Sequence, residues 1–178
     1  MVEDWMQLLM STLIRAGGIF HDLTAANKHE AFRELVARLP LPANYDRAAL
    51  LSVLEARETK GSTGIGEGIA VPHTSDASVM RVGEGFITLG LLRDAIEFNA
   101  IDRKPVFALF MIASPTVQAH LRVLGQLGFL LRDSALRDLL RQRASSDAII
   151  ERIETIEHDH PGHFQSRISG GSSKWSRA

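Results

Sequence analysis

The chain contains 178 residues, the usual size of one domain or of a small domain with a tail. Its 20 basic and 21 acidic side chains nearly cancel, so it lacks the basic excess typical of nucleic-acid-binding proteins. Because it has no cysteine, disulfides, thiolate catalysis and zinc–thiolate sites are excluded. The acidic N-terminus and the absence of an apolar run of about 20 residues predict a cytoplasmic protein without a signal peptide or membrane insertion.

The first third of the chain is predicted to contain three helices and one strand. A short amphipathic helix ends at Gly17-Gly18, and the residues at 19–23 are typical of a strand. Thr24 is a candidate N-cap for the second helix, and Asp46 is a candidate N-cap for the third. The predicted inward face of the third helix consists of Ala49, Leu50, Val53 and Leu54.

The middle of the chain is predicted to form a sheet. A glycine-rich loop at 61–71 runs into an apolar triplet, and the apolar runs at 86–92 and 106–112 are strand candidates. The alternating residues at 95–98 are expected to add a short edge strand.

The last third is predicted to be helical and to end in a tail. Ser114 is a candidate N-cap for a helix that reaches residue 131, and two further helices open near Ser134 and Ser146. From His158 to Ala178 the apolar periodicity ends, which predicts a disordered tail after a single domain of residues 1–157. The order of helices and strands indicates an α/β layered domain (α+β).

The most informative segment is the loop at 61–73, with the sequence GSTGIGEGIAVPH. Its glycines and hydroxyls permit a backbone nest of N–H groups that binds phosphate. A P-loop is excluded because Glu67 stands where lysine is needed, and a dinucleotide fingerprint is excluded because a helix precedes the glycines. Pro72 holds His73 at the loop mouth, where a neutral imidazole nitrogen can attack phosphorus. An ordinary surface histidine after a long turn explains the same pattern.

This segment resembles the signature of the IIA components of the bacterial phosphoenolpyruvate-dependent phosphotransferase system. The similar branch is the fructose/mannitol type, together with its nitrogen-regulatory relatives. The resemblance covers about residues 10–157 and implies a mixed sheet flanked by helices, the IIA fructose/mannitol-type fold. The matching stretches are Arg57-Glu58, 61–66, 68–73, 96–98, Asp102, 105–106, Pro115 and His120-Leu121.

The resemblance also implies the roles of three residues. The family histidine that matches His73 accepts phosphate from the histidine-containing phosphocarrier protein, and carbohydrate-specific members pass it to a IIB component. His120 matches a second active-site histidine, and Arg57 matches an arginine that can neutralise the phosphoryl charge. From the residue pattern alone, a histidine at 120, on the apolar stripe of Val117, Leu121 and Leu124, is usually a partly buried core residue, which does not exclude the role in the site. A salt bridge from Arg57 to Glu58 or Asp46 fits that residue equally well.

Four loop positions are predicted to bind the phosphoryl group: Ser62, Thr63, Gly64 and Gly66. Thr63 ranks ahead of Ser62 because it stands beside Gly64, and a role of both hydroxyls in shaping the turn is the alternative. No cofactor and no metal are expected, since the histidines of the predicted tail lack a carboxylate cage.

The sequence departs from the family pattern at two places. Glu67 replaces the commoner Asn or Asp, and Thr74-Ser75-Asp76 follows His73 where relatives often have a small residue and then a basic one. Glu67 adds bulk and keeps or adds negative charge beside the loop, and together the two departures affect the face that docks the donor, since docking partners are chosen partly by charge.

Three functions fit the sequence. The first is a phosphoryl carrier that serves a IIB component, and the second is a regulatory protein whose partner choice is switched by phosphorylation of His73. The third is a degenerate IIA-like module that is never phosphorylated. A nucleic-acid partner is not expected, an oligomer is compatible with the sequence, and the carbohydrate is left open.

Overall fold

A computed structural model of the chain describes residues 9–74 and 83–164. Within these two ranges the helices are α1 (Met10–Gly17), α2 (Lys28–Arg38), α3 (Arg47–Thr59), α4 (Val117–Leu130), α5 (Ser134–Arg141), α6 (Ser146–Asp159) and α7 (Pro161–Phe164). The strands are β1 (Ile19–Leu23), β2 (Gly64–Gly66), β3 (Ile69–Ala70), β4 (Phe86–Ile96) and β5 (Val106–Ala113). None of the helices in the described ranges has both the length and the apolar composition that crossing a bilayer requires.

The strands form one mixed sheet in the order β1-β4-β5-β3-β2. β1 runs parallel to β4, β4 antiparallel to β5, and β3 parallel to β5, while β2 and β3 pair antiparallel. Every residue of β5 is buried, as expected for a strand covered on both faces. The predicted mixed sheet flanked by helices is confirmed.

Helices cover both faces of this sheet, so the domain has three layers. Along β5, Phe110 and Ile112 belong to the core shared with α1, α4, α5 and α6. The alternate residues Leu109 and Met111 belong to the core shared with α2 and α3. The period of two in the strand therefore distributes its side chains between two cores.

Two predicted helix caps are wrong by two or three residues. The N-cap of α2 is Asn27, whose side-chain oxygen accepts the N–H of Glu30 at 3.0 Å, whereas Thr24 is exposed. The N-cap of α4 is Thr116, whose hydroxyl accepts the N–H of Ala119 at 3.1 Å. Ser114 is instead buried directly after β5, because the chain turns only after the strand has crossed the core.

Two further predictions change at β4 and α3. Residues 95–96 of the predicted edge strand at 95–98 are the end of the continuous strand β4, whose register shifts between Leu91 and Ile96, and residues 97–98 follow the strand. This irregularity exposes Arg93 and Asp94 and gives the sequence the appearance of a strand break. In α3 the buried residues are Leu50, Leu54 and Glu58, and Ala49 is exposed.

A buried carboxylate caps the first helix. Leu9, the residue before α1, provides no side-chain cap. Instead Glu157 of α6 accepts the N–H of Ser11 at 3.1 Å and its hydroxyl at 2.6 Å. Both side chains are buried, so α6 satisfies an N-terminal donor of α1.

The prediction of a tail from His158 is wrong for residues 158–164. α6 continues to Asp159, and α7 places the side chain of Phe164 in the core with 0% exposure. The Phe164 carbonyl accepts hydrogen bonds of 3.3 Å from Arg122 and Gln126 on α4. A single aromatic anchor has no periodicity, which explains why the pattern missed it. The rest of the predicted tail, residues 165–178, lies outside the described residues. So do Ser75 and Asp76, which belong to the second departure from the family pattern.

We expect Phe164→Ala to destabilise the fold substantially. Truncating a buried phenylalanine costs about 3 kcal/mol at the lower end of its range, which applies here because a terminal helix can detach alone. For a domain of this size that corresponds to a melting temperature lower by roughly 6–12 °C. Thermal unfolding measures the shift, with the exposed His158→Ala as control. Equal melting temperatures for Phe164→Ala and wild type would contradict the docking of α7.

Candidate functional site

Two histidines meet at one edge of the sheet. Because β3 and β5 are parallel, their carboxyl ends lie at the same edge, and His73 follows β3 there. The segment between β3 and His73 stays paired with β5, since the carbonyl of Pro72 accepts the N–H of Ile112. α4 starts just after β5 and carries His120 in its first turn. The two ring centroids are 5.0 Å apart, with an angle of 46° between the ring planes.

The backbone fixes the tautomer of His73. Nδ1 lies 2.8 Å from the carbonyl oxygen of Val71, and a carbonyl only accepts, so Nδ1 carries the proton. In the neutral ring Nε2 therefore has the free lone pair. Burial lowers the pKa of His73 below 6.5 and the charge of Arg57 lowers it further, whereas the Val71 hydrogen bond and the charge of Glu58 oppose this. At neutral pH His73 is a nucleophile-ready imidazole.

His120 is neutral as well. Burial, and secondarily the charge of His73, lower the pKa of His120 to about 4. Its apolar neighbours Val117 and Leu121 are 60% and 64% exposed, so this side of α4 faces outward. The buried residues of the helix lie elsewhere around it: Ala119, Val123, Gln126, Leu127 and Leu130. This half-buried position agrees with both interpretations of His120, a partly buried core histidine and a second histidine of the site.

Arg57 lies in the last turn of α3, close enough to affect the pKa of His73. Its Nη1 donates to the carbonyl of Gly61 at 2.9 Å, which holds the guanidinium against the start of the loop. The alternative partners are used otherwise: Glu58 pairs with Lys28 at 3.0 Å, and Asp46 caps α3. The guanidinium has five N–H donors, so the Gly61 contact uses only part of its capacity.

The hydroxyls of Ser62 and Thr63 bind the protein itself. Ser62 Oγ donates to the carbonyl of Phe98 at 2.9 Å, and Thr63 Oγ1 donates to the Glu58 carboxylate at 2.7 Å. Each hydroxyl has one proton, so neither has a second one for a phosphoryl oxygen. These contacts agree with the alternative, in which the two hydroxyls shape the turn, and the phosphate-binding role of Ser62 and Thr63 stays a prediction.

The glycines lie in the hairpin of β2 and β3, and their phosphate-binding role stays a prediction. The N–H of Gly64 donates to Ser62 Oγ at 3.1 Å, and a Cβ at Gly64 would lie 2.7 Å from the Ala100 Cβ. Gly66, the last residue of β2, has a φ of +98° where the chain enters the turn to β3. This close approach and this turn explain why glycine occupies the two positions.

Glu67 occupies the hairpin turn, at the opposite end of β3 from His73. Its N–H donates to Asp102 at 2.9 Å, and its carboxylate pairs with Lys104 at 3.3 Å. The family departure at this position therefore lies away from the histidine pair.

Sequence reasoning missed two groups at this site: the Val71 carbonyl, which orients His73, and the buried carboxylate of Glu58, which binds Thr63. A signal for Glu58 was present, because it follows Leu50 and Leu54 at intervals of four and so falls on the buried stripe of α3.

The low pKa of His120 has a consequence for stability. Between pH 6.5 and about 4 the unfolded chain protonates this imidazole and the folded chain does not, so acidification favours unfolding. This contribution to stability is complete above pH 6.5 and is lost as the pH falls towards 4. We therefore expect urea unfolding to show a steeper loss of stability between pH 7 and 5 for wild type than for His120→Gln. Parallel pH profiles would contradict the shift.

Comparison with known proteins decides the family. Residues 12–156 match the family model for the phosphoenolpyruvate-dependent sugar phosphotransferase system, EIIA 2. The chain belongs to this family. It is therefore a phosphoryl-transfer component of the phosphotransferase system, and the resemblance seen in the motif at 61–73 is confirmed.

Two kinds of relatives are similar to this chain in sequence: sugar-specific EII components and nitrogen regulatory proteins. A fructose-specific EIIABC component of Bacillus subtilis is 38% identical over 116 residues, which are 64% of this chain and 18% of that protein. A nitrogen regulatory protein of Pseudomonas aeruginosa is 33% identical over 132 residues, 72% of this chain and 82% of that protein. The chain thus spans less than a fifth of the fructose-specific relative and most of the regulatory one.

Solved structures share the fold. The nitrogen regulatory protein IIA-Ntr of Neisseria meningitidis has a TM-score of 0.70 at 27% identity, covering 80% of this chain and 97% of the other. IIA mannitol of Escherichia coli has a TM-score of 0.63 at 25% identity, covering 78% of this chain and 96% of the other. The IIA fructose/mannitol-type fold is therefore confirmed.

Proposed function

We propose that this protein is a phosphohistidine carrier of the cytoplasm. Nε2 of His73 accepts a phosphoryl group from the histidine-containing phosphocarrier protein and passes it to a IIB component. The observation that carries the proposal is the hydrogen bond from Nδ1 to the Val71 carbonyl, which leaves Nε2 as the free nucleophilic nitrogen in a member of a phosphoryl-transfer family.

The transfer step balances without a base or a metal ion. The Nε2 lone pair forms a bond to phosphorus while the P–N bond of the donor breaks and its electron pair returns to the donor imidazole. Positive charge then develops on the His73 ring, where the proton stays on Nδ1. The Val71 carbonyl, 2.8 Å away, stabilises that charge with its dipole.

Nearby groups compensate the phosphoryl charge, which is about −1.5 to −2 at neutral pH. Arg57 supplies a permanent positive charge that already acts on His73. His120, whose ring centroid is 5.0 Å from that of His73, supplies one N–H donor in its neutral form. Both rings lie beside the N-terminus of α4, where the helix dipole favours an anion.

The surface around the pair suits a transient protein partner. Val117 and Leu121 are apolar and mostly exposed on either side of His120 along α4. Exposed apolar side chains that surround a reactive group are typical of the core of a docking interface. We propose that the phosphocarrier protein covers these two residues when it delivers its phosphoryl group.

A regulatory role is the second candidate. It is favoured by the nitrogen regulatory protein of P. aeruginosa, of which the matched region covers 82%. In this role phosphorylation of His73 changes which protein binds, and no phosphoryl group moves onward. Transfer from the phosphorylated protein to a purified IIB component distinguishes the two roles, since only a carrier loses its label.

Incubation with phosphoenolpyruvate, enzyme I and the phosphocarrier protein tests the common step. We expect intact mass spectrometry to show the addition of one phosphoryl group, and none when the phosphocarrier protein is omitted. An unchanged mass in the complete mixture would contradict the proposal and favour a degenerate IIA-like module.

A further inference from the structure

Glu58 is a buried carboxylate close to the site, with 7% of its surface exposed. It accepts the N–H of Thr63 at 3.0 and 3.2 Å through its two oxygens, and the Thr63 hydroxyl at 2.7 Å. Lys28 of α2 adds a third donor at 3.0 Å. Burying a charged carboxylate costs free energy unless it is hydrogen-bonded. Because Glu58 accepts hydrogen bonds at both oxygens, its carboxylate is held in a defined position.

A short chain of hydrogen bonds leads from Glu58 to the reactive ring. The carbonyl of Thr63, which Glu58 holds in place, accepts the N–H of Val71 at 2.9 Å. The carbonyl of the same Val71 accepts the proton of His73 Nδ1 at 2.8 Å. Three consecutive steps of hydrogen bonding therefore connect the carboxylate of Glu58 to Nδ1 of His73.

We propose that Glu58 is a positioning residue that, through Thr63 and Val71, keeps the proton of His73 on Nδ1 and Nε2 free. The proposal deepens the function proposed above and rests on it, because it assigns how the nucleophilic nitrogen is selected.

A carboxylate is needed here because every partner of Glu58 is a donor. Thr63 donates twice and Lys28 donates once, so the site requires two acceptor oxygens. In Glu58→Gln an NH₂ group replaces one oxygen and faces a donor. Thr63 must then shift, and the Val71 carbonyl shifts with it. The loss of orientation frees the ring of His73 to adopt the other tautomer.

A matched control separates positioning from stability. Glu157 is also a buried carboxylate, 5% exposed, and it also accepts one N–H and one hydroxyl, both from Ser11. It caps α1 and has no contact with the loop of His73 among the described residues. Glu157→Gln therefore disturbs a similar hydrogen-bonded pair without disturbing the chain of contacts to His73.

The test compares the two variants by imidazole ¹⁵N NMR and by the rate of phosphorylation. We expect wild type and Glu157→Gln to show the Nδ1–H tautomer of His73 and the same rate. We expect Glu58→Gln to show a mixture of tautomers and a rate about tenfold lower, the lower end of the loss that follows when a group orienting a metal-bound histidine is removed. The wild-type tautomer and rate in a folded Glu58→Gln protein would overturn the proposal.

A second variant tests the proposal if Glu58→Gln does not fold. Thr63→Val removes the hydrogen bond from the Thr63 hydroxyl to Glu58 at nearly constant side-chain volume, and we expect it to change the tautomer of His73 in the same direction. An unchanged tautomer in Thr63→Val would then overturn the proposal. The NMR measurement uses the unphosphorylated protein, so it judges Glu58 even if the wild type accepts no phosphoryl group and the carrier function fails.

Discussion

His73→Ala is expected to abolish phosphorylation completely. The alanine side chain has no nitrogen, and within residues 9–74 and 83–164 no other imidazole near the site has its Nδ1 held on a carbonyl as Val71 holds that of His73. His120 is close, but its pKa of about 4 reflects an environment that disfavours positive charge on that ring. Attack on phosphorus would create such a charge, so His120 is a poor substitute nucleophile. Intact mass spectrometry after incubation with the donor proteins measures the result.

The matched control for this variant is His158→Ala, because His158 is exposed and lies at the far end of α6. This protein should accept one phosphoryl group at the wild-type rate. The label on wild type should be lost in acid and stable in base, as expected for a phosphoramidate. A phosphoryl group on His73→Ala would remove His73 from the mechanism and point to a different acceptor.

The strands β4 and β5 were predictable because each contains a nearly continuous apolar run, whereas β2 lies in the segment predicted as a glycine-rich loop. β5 is buried on both faces, so all of its residues are apolar and its bounds are clear in the sequence. The helix starts were harder to predict. Thr24 and Asn27, and likewise Ser114 and Thr116, can all serve as caps, and the choice depends on where the preceding strand leaves the core.

The site was predictable only in part. The glycine-rich motif indicated His73, but the functions of its hydroxyls depend on residues outside the motif. Thr63 bonds to Glu58 at the end of α3, and Ser62 bonds to Phe98 beyond β4. A single sequence does not show which acceptor a hydroxyl meets, so it does not show that these two hydroxyls form hydrogen bonds within the protein. In the structure both hydroxyls of the motif form hydrogen bonds that hold the loop before His73 in place.

The topology of the sheet, and not closeness in the sequence, places His120 beside His73. The two parallel strands β3 and β5 end at one edge of the sheet, and α4 begins there. The pattern of α4 suggested an apolar stripe around His120, yet Val117 and Leu121 are exposed. Apolar residues at a docking surface and in a core have the same periodicity, so the sequence alone does not separate them.

His120→Ala is expected to slow phosphorylation at pH 7 by about tenfold or more while the fold survives. Loss of one hydrogen-bond donor to a developing anion costs on the order of 10²–10³ in rate at a well-studied oxyanion site. The effect should be smaller here, because His120 is only half-buried and the charge of Arg57 is still present. Circular dichroism reports the fold, and single-turnover phosphorylation reports the rate.

His120→Gln provides the graded comparison. Glutamine keeps an N–H donor but shifts its position, so its rate should lie between those of wild type and His120→Ala. Arrival of the phosphoryl group should also raise the pKa of His120 from about 4, since an anion then replaces the repulsion from His73. Rates within about twofold of wild type for both folded variants would assign His120 to packing alone, because a donor to the transferred group cannot be removed at so small a cost.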